Sequence, residues 1–168
     1  MEERITEILK MLEELYNFGV KMNADDLEVE EMLAEMYLPK RKSNTYVPNK
    51  NVLIELIENY DMTQFNVGGV SFYDSDSFVD SDEFVVIGTD GAGDYIAEDK
   101  LKGNVYNAID GFLKVKVANS SEQFLKNLIE IGKFNLSNEI NTDEYHNLLN
   151  TVSFDKESRE FYFSLIKS

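Results

Sequence analysis

Phe84-Val85-Val86-Ile87, then Thr89-Asp90-Gly91-Ala92-Gly93-Asp94, then Tyr95-Ile96-Ala97 is the stretch that decides the fold. Two β-branched and aromatic runs flank a short segment of Gly and Asp, the composition of a tight hairpin in which Gly supplies positive φ. Gly91-Ala92-Gly93 also has the Gly-x-Gly form of a phosphate cradle. However, Ile96 stands where a dinucleotide fingerprint has its third Gly, and the following residues read as strand. No helix N-terminus would face a phosphate, and Asp90 and Asp94 would repel it. Outward from this hairpin the same pattern recurs at Val70–Tyr73, Asn104–Tyr106 and Phe112–Val117. The short gaps suit an antiparallel meander of about five strands. In the last run Lys114 and Lys116 alternate with Leu113, Val115 and Val117, which predicts one wet and one buried face.

Both flanks change to a helical period. Ile5, Ile8, Leu9, Leu12, Leu15 and Tyr16 form one stripe, with Gly19 placed as a C-terminal cap. Val29, Met32, Leu33, Met36 and Tyr37 form a second stripe, opened by the acidic Asp25-Asp26 and ended by Pro39. Leu53, Leu56, Ile57 and Tyr60 suggest a third helix, with Asn49 or Asn51 as its cap. Beyond the strands, Ser120-Ser121-Glu122-Gln123 has the Ser-x-x-Gln form of a capping box ahead of Phe124, Leu125, Leu128 and Ile129. Asn141 or Thr142 opens a helix with Tyr145, Leu148 and Leu149, and Ser153 or Asp155 opens one with Phe161, Tyr162, Leu165 and Ile166. Phe161-Tyr162-Phe163 reads as core packing. Helices, a strand block and helices again predict a single α+β domain over residues 1–168, a central antiparallel sheet flanked by N- and C-terminal helices.

The 168 residues include 32 Asp and Glu against 16 Lys and Arg, a formal charge of −16, with no Cys. Without Cys there is no disulfide framework, thiolate metal site or cysteine nucleophile. No apolar run reaches a membrane span, and Met1-Glu2-Glu3-Arg4 does not open a leader, so the expected location is cytoplasmic. The charge disfavours direct contact with nucleic acid or anionic membrane and favours a basic partner. From Asn51 to Asp99 there is no Lys or Arg.

The densest acidic run is Asp74-Ser75-Asp76-Ser77-Phe78-Val79-Asp80-Ser81-Asp82-Glu83. As a Ca²⁺ loop it fails, because Phe78 and Val79 occupy the places where an EF-hand needs an oxygen ligand and a Gly. It reads either as a solvated acidic loop or as a docking surface for a basic protein, and Phe78 and Val79 interrupt the charges as apolar anchors do in an interface. His146 is the only histidine and reads as a surface or capping residue. No catalytic residue, metal or cofactor is assigned, and the chain is read as no enzyme.

Phe84 to Ala97, then Gly103-Asn104-Val105-Tyr106, then Val117-Ala118-Asn119-Ser120-Ser121-Glu122-Gln123-Phe124-Leu125 resemble the SUKH superfamily, the Smi/Knr-like domains. The likeness covers Phe84 to Ile129. It implies an α+β fold whose bacterial members act as immunity proteins against polymorphic toxins, many of them nucleases, and whose fungal members are regulatory scaffolds. Ahead of the likeness, Leu38-Pro39 runs into Lys40-Arg41-Lys42 where the family often continues with an acidic residue and Tyr, and no binding position is carried over. The expectation is an immunity protein that occludes a cognate toxin, with a basic nuclease as the leading choice; the alternative is a non-catalytic regulatory scaffold. Asp74, Asp76, Asp80, Asp82, Glu83, Asp90 and Asp94 are the expected electrostatic contacts, with Tyr73 and Phe78 as anchors.

Overall fold

The computed structural model describes residues 2–24, 26–109, 113–137 and 142–166. Asp25, Phe112 and Asn141, on which parts of the sequence reading rest, lie outside these ranges. The chain opens with α1 (Glu2–Met22), α2 (Leu27–Tyr37) and α3 (Val52–Asn59). Ile5, Ile8, Leu12 and Leu15 bury one stripe of α1, as their spacing demands. Gly19 lies inside α1 rather than capping it: a Cβ there would come within 2.8 Å of Leu33 Cδ1, so glycine permits the close approach of α2. Asp26 caps α2 by accepting the N–H groups of Glu28 and Val29, two donors the helix itself cannot satisfy. Leu38 closes α2 before Pro39.

Six antiparallel strands follow: β1 (Ser71–Phe72), β2 (Val79–Asp80), β3 (Phe84–Thr89), β4 (Tyr95–Asp99), β5 (Val105–Ile109) and β6 (Leu113–Ala118). Their order is β1-β3-β4-β5-β6, and β2 also pairs with β3. Because β4 occupies the other side of β3, β1 and β2 are two halves of one edge strand. They are separated by a segment containing a 3-10 turn, Ser75–Ser77. β2 falls inside the run read from sequence as an acidic loop. The Thr89–Asp94 hairpin forms as expected: Asp90 N–H bonds the Asp94 carbonyl at 2.9 Å, and Gly93 takes φ +88. Gly88 marks a close approach, since a Cβ there would lie 2.1 Å from the Ser71 carbonyl oxygen.

α4 (Ser121–Leu136), α5 (Thr142–Val152) and α6 (Lys156–Leu165) complete the chain. Ser120 Oγ accepts the Gln123 N–H, while Gln123 Oε1 accepts from Asn119, so the expected box closes one residue early. α4 packs against α1, α3 and β6, and its Phe124, Leu125, Leu128, Ile129 and Ile131 are fully buried. A polar network ties α6 to the sheet. Tyr162 Oη donates to the Val117 carbonyl at 2.8 Å, and Asn127 Nδ2 donates to Tyr162 Oη at 2.9 Å and to the Val152 carbonyl at 3.0 Å. Phe161 and Tyr162 are core residues as predicted, but Phe163 is 58% exposed, its ring edge-on to Tyr145 of α5 at 6.1 Å. The fold is therefore the predicted α+β type, with a sheet between N- and C-terminal helices.

Candidate functional site: an open sheet face and its acidic edge

Strand register divides the sheet into two faces, because directly paired residues share a side. Ile96, Asn107 and Val115 are register partners, as are Glu98, Val105 and Ala118. This set faces the helices. The other set runs Val79, Val86, Ala97, Tyr106 and Lys116 across five strands. Apart from the small Ala97 and Ala108, this second face is exposed or half-buried. Val79 is 59% exposed and Tyr95 44%. Phe84 meets Tyr106 edge-on at 5.5 Å, Lys114 Nζ sits 3.6 Å over the Phe84 ring, and Lys116 Nζ sits 5.0 Å over Phe154. The wet face expected from Lys114 and Lys116 is thus present, but it carries aromatic rings with the lysines laid over them.

The acidic run borders this face along the edge strand. Asp74 and Asp80 are tied to the protein: Lys42 holds Asp74 at 2.7 Å and Lys100 holds Asp80 at 2.5 Å. The Lys42 ammonium also keeps the Asp74 carboxyl below its ordinary range. Asp76, Asp82 and Glu83 are exposed on the same edge. Phe78 is half-buried against the core, and it is Val79 that stands out to solvent. Strand alternation explains this exchange, since neighbours in β2 point to opposite sides. Tyr73 is half-buried beside Thr89 and Tyr95; burial first, then Tyr95, raises its hydroxyl above the ordinary tyrosine range while Thr89 opposes.

Asp90 and Asp94 belong to a different place. Asp90 Oδ1 accepts the N–H groups of Ala92 and Asp94, and its Oδ2 accepts from Asn107 Nδ2 at 3.0 Å, so this carboxylate organises the hairpin turn. With Asp94 it lines a cavity of about 360 Å³ whose far wall carries Glu157, Glu160 and Phe161 of α6. The sequence reading missed both glutamates. Their i, i+3 spacing on α6 was a visible signal that they share a helix face, but only the tertiary fold sets that face opposite the hairpin.

The sequence reading also missed Glu98. It is fully buried on the helix side of β4, and neither carboxyl oxygen has a hydrogen-bond partner. Burial pushes its carboxyl up to about 8, against a smaller opposing pull from Ser121 and Lys50. His146 is exposed, its ring edge-on to Tyr145 at 5.4 Å. Among the described residues no three His, Cys, Asp or Glu side chains are grouped to hold a metal ion, and no helix is long and apolar enough to cross a membrane.

Compared with known family models, curated proteins and solved structures, the chain matches none. Its class rests on its own geometry: an α+β domain with one helix-backed sheet face, one open face, and an edge rich in carboxylates.

Proposed function

We propose that this chain is an immunity protein of the SUKH type, which binds a basic toxin domain, a nuclease, and neutralises it by covering its cationic cleft. The observation that carries the reading is the open sheet face: exposed Val79 stands on the edge strand whose flanking segments carry exposed Asp76, Asp82 and Glu83, and Tyr95 is exposed at the hairpin end of the same face. Apolar and aromatic area supplies the desolvated centre of an interface, and surrounding charge steers the encounter and rejects partners of the wrong sign. A nuclease displays positive potential because it must hold phosphates, so an acidic cover is complementary to it. No step of this function needs a catalytic group or a cofactor. Asp90 serves the hairpin and Asp94 lines the cavity against α6, which leaves the edge-strand acids as the contacts to test.

The test is binding to a purified basic nuclease toxin domain, followed by association rates across a salt series. The Asp76→Lys, Asp80→Lys, Asp82→Lys triple variant is expected to keep its fold, associate markedly more slowly, and lose most of its salt dependence. Unchanged kinetics in that variant would remove the edge from the interface. Absence of binding by the wild-type chain would remove the immunity reading itself.

A further inference from the structure

Residues 40–50 pass over α3 with no helix or strand of their own, only a bridge of Arg41 to Tyr60. None of their side chains belongs to the hydrophobic core: Val47 is 45% exposed and Tyr46 is half-buried. Beneath them, Glu55 and Asn59 lie one turn apart on the same face of α3, and both are buried. Tyr46 Oη donates to Glu55 Oε1 at 2.6 Å. The Val47 N–H donates to Asn59 Oδ1 at 2.8 Å, and Asn59 Nδ2 donates to the Val47 carbonyl at 2.8 Å. The segment is thus fastened to the helix through polar groups, without a core side chain of its own.

The fastening is also incomplete, because Glu55 Oε2 is buried and has no hydrogen-bond partner. A carboxyl oxygen enclosed without a donor costs free energy that water returns once the cover lifts. A segment with few bonds and little apolar contact opens at far lower free energy than the core unfolds. Both ends stay anchored. At the far end the Asn51 N–H donates to Asn49 Oδ1 at 3.0 Å where α3 begins. At the near end the Lys42 N–H donates to the Asn59 carbonyl at 2.9 Å, while Lys42 Nζ reaches Asp74 at 2.7 Å and Ser75 Oγ at 3.4 Å. Lys42 therefore holds α3 with its backbone and the first carboxylate of the acidic run with its side chain.

We propose that residues 43–48 form a strap that opens and closes over Glu55 and Asn59 while the rest of the domain stays folded, and that the Lys42–Asp74 pair couples its closure to the acidic edge. A cation that takes Asp74 releases Lys42 and favours the open strap; by linkage, opening the strap makes Asp74 easier for that cation to take. The coupling is weaker than the closure itself, because a solvent-exposed ion pair contributes little. The strap does not rest on the toxin reading, since every group in it belongs to this chain and its variants are read without a partner.

The test is native-state hydrogen exchange of the full chain, followed by NMR in rising, sub-denaturing urea. The Val47 amide is expected to exchange about a hundredfold or more faster than the Leu128 amide of α4, at a rate nearly independent of urea, because lifting the strap exposes little surface. Equal rates, or a urea dependence as steep as that of Leu128, overturn the strap, since Val47 is then released only by global unfolding. Tyr46→Phe removes the bond to Glu55 and leaves the Val47–Asn59 pair in place. It is expected to speed exchange at Val47 by about tenfold and at Leu128 by much less. An unchanged Val47 rate means that Tyr46 and Val47 do not move together, and overturns the unit. Asp74→Asn is expected to speed Val47 exchange by about twofold to fivefold at low salt, and to change nothing at about 1 M sodium chloride, where the pair is screened. No change at low salt overturns the coupling. Should Tyr46→Phe fail to fold, the urea dependence of Val47 in the wild-type chain decides whether the strap opens by itself.

Discussion

On the helix side of the sheet Ile96, Val105 and Val117 are fully buried, and Tyr162 and Asn127 knit α4, α5, α6 and β6 together through three hydrogen bonds. On the opposite side of the same strands Val86, Tyr106 and Lys116 stay half-open, with Val79 and Tyr95 exposed. A strand alternates its side chains, so one set of residues can satisfy the core while the other remains available for a partner. Substitutions on the two faces should consequently report on different properties, stability on one and association on the other.

The largest effect is expected where packing is tightest. Phe124→Ala should cost about 3–5 kcal/mol through lost burial and the cavity left behind, read from the urea midpoint at unchanged m-value. Next is Tyr162→Phe, which leaves the Val117 carbonyl without its donor and Asn127 without one acceptor. It should cost about 1–3 kcal/mol, and a loss near zero would show that this network adds nothing to the helix side.

Glu98 gives the comparison a pH dependence. Its carboxyl is raised from the ordinary 4.5 to about 8, so the folded chain favours the protonated form. The associated stability is complete below the unfolded value and is lost as pH rises through about 8. Glu98→Gln removes this loss; melting temperatures at pH 6 and pH 9 should fall in the wild-type protein and change less in the variant. An equal fall in both would assign the slope to other groups. The smallest stability effect belongs to the acidic edge. The Asp76, Asp80, Asp82 charge reversal should move stability by only about 0.5 kcal/mol, because exposed charges and the exposed Asp80–Lys100 pair contribute little to folding. The same variant should show the largest change in association rate.

Much of the fold was legible because its signals are local. The helical stripes of α1 and α4, the Asp26 and Asp155 caps and the Gly93 turn each depend on residues within a few positions of one another. β2 was not legible, because Val79 and Asp80 lie among Ser and Asp and become a strand only by pairing with Val86 and Val85. The exchange of Phe78 for Val79 as the exposed apolar side chain follows from that same pairing. Of the expected acidic contacts, the charge run grouped Asp74 to Glu83 into one segment, which the fold sets along one sheet edge, but it could not show that Asp74 and Asp80 are tied to Lys42 and Lys100 or that Asp90 holds a turn.

By itself, then, the order of residues determined the class of fold, the ends of most helices, the central hairpin and the acidic sign of the middle segment, because periodicity, capping and turn chemistry act over short stretches of chain. The tertiary structure alone decided which sheet face stays open, that Glu157 and Glu160 share a cavity with Asp90 and Asp94, and that the carboxyl of Glu98 is buried on the helix side of β4. Those neighbours come from segments far apart in sequence, and only close packing of the helices on the sheet brings them within reach of one another.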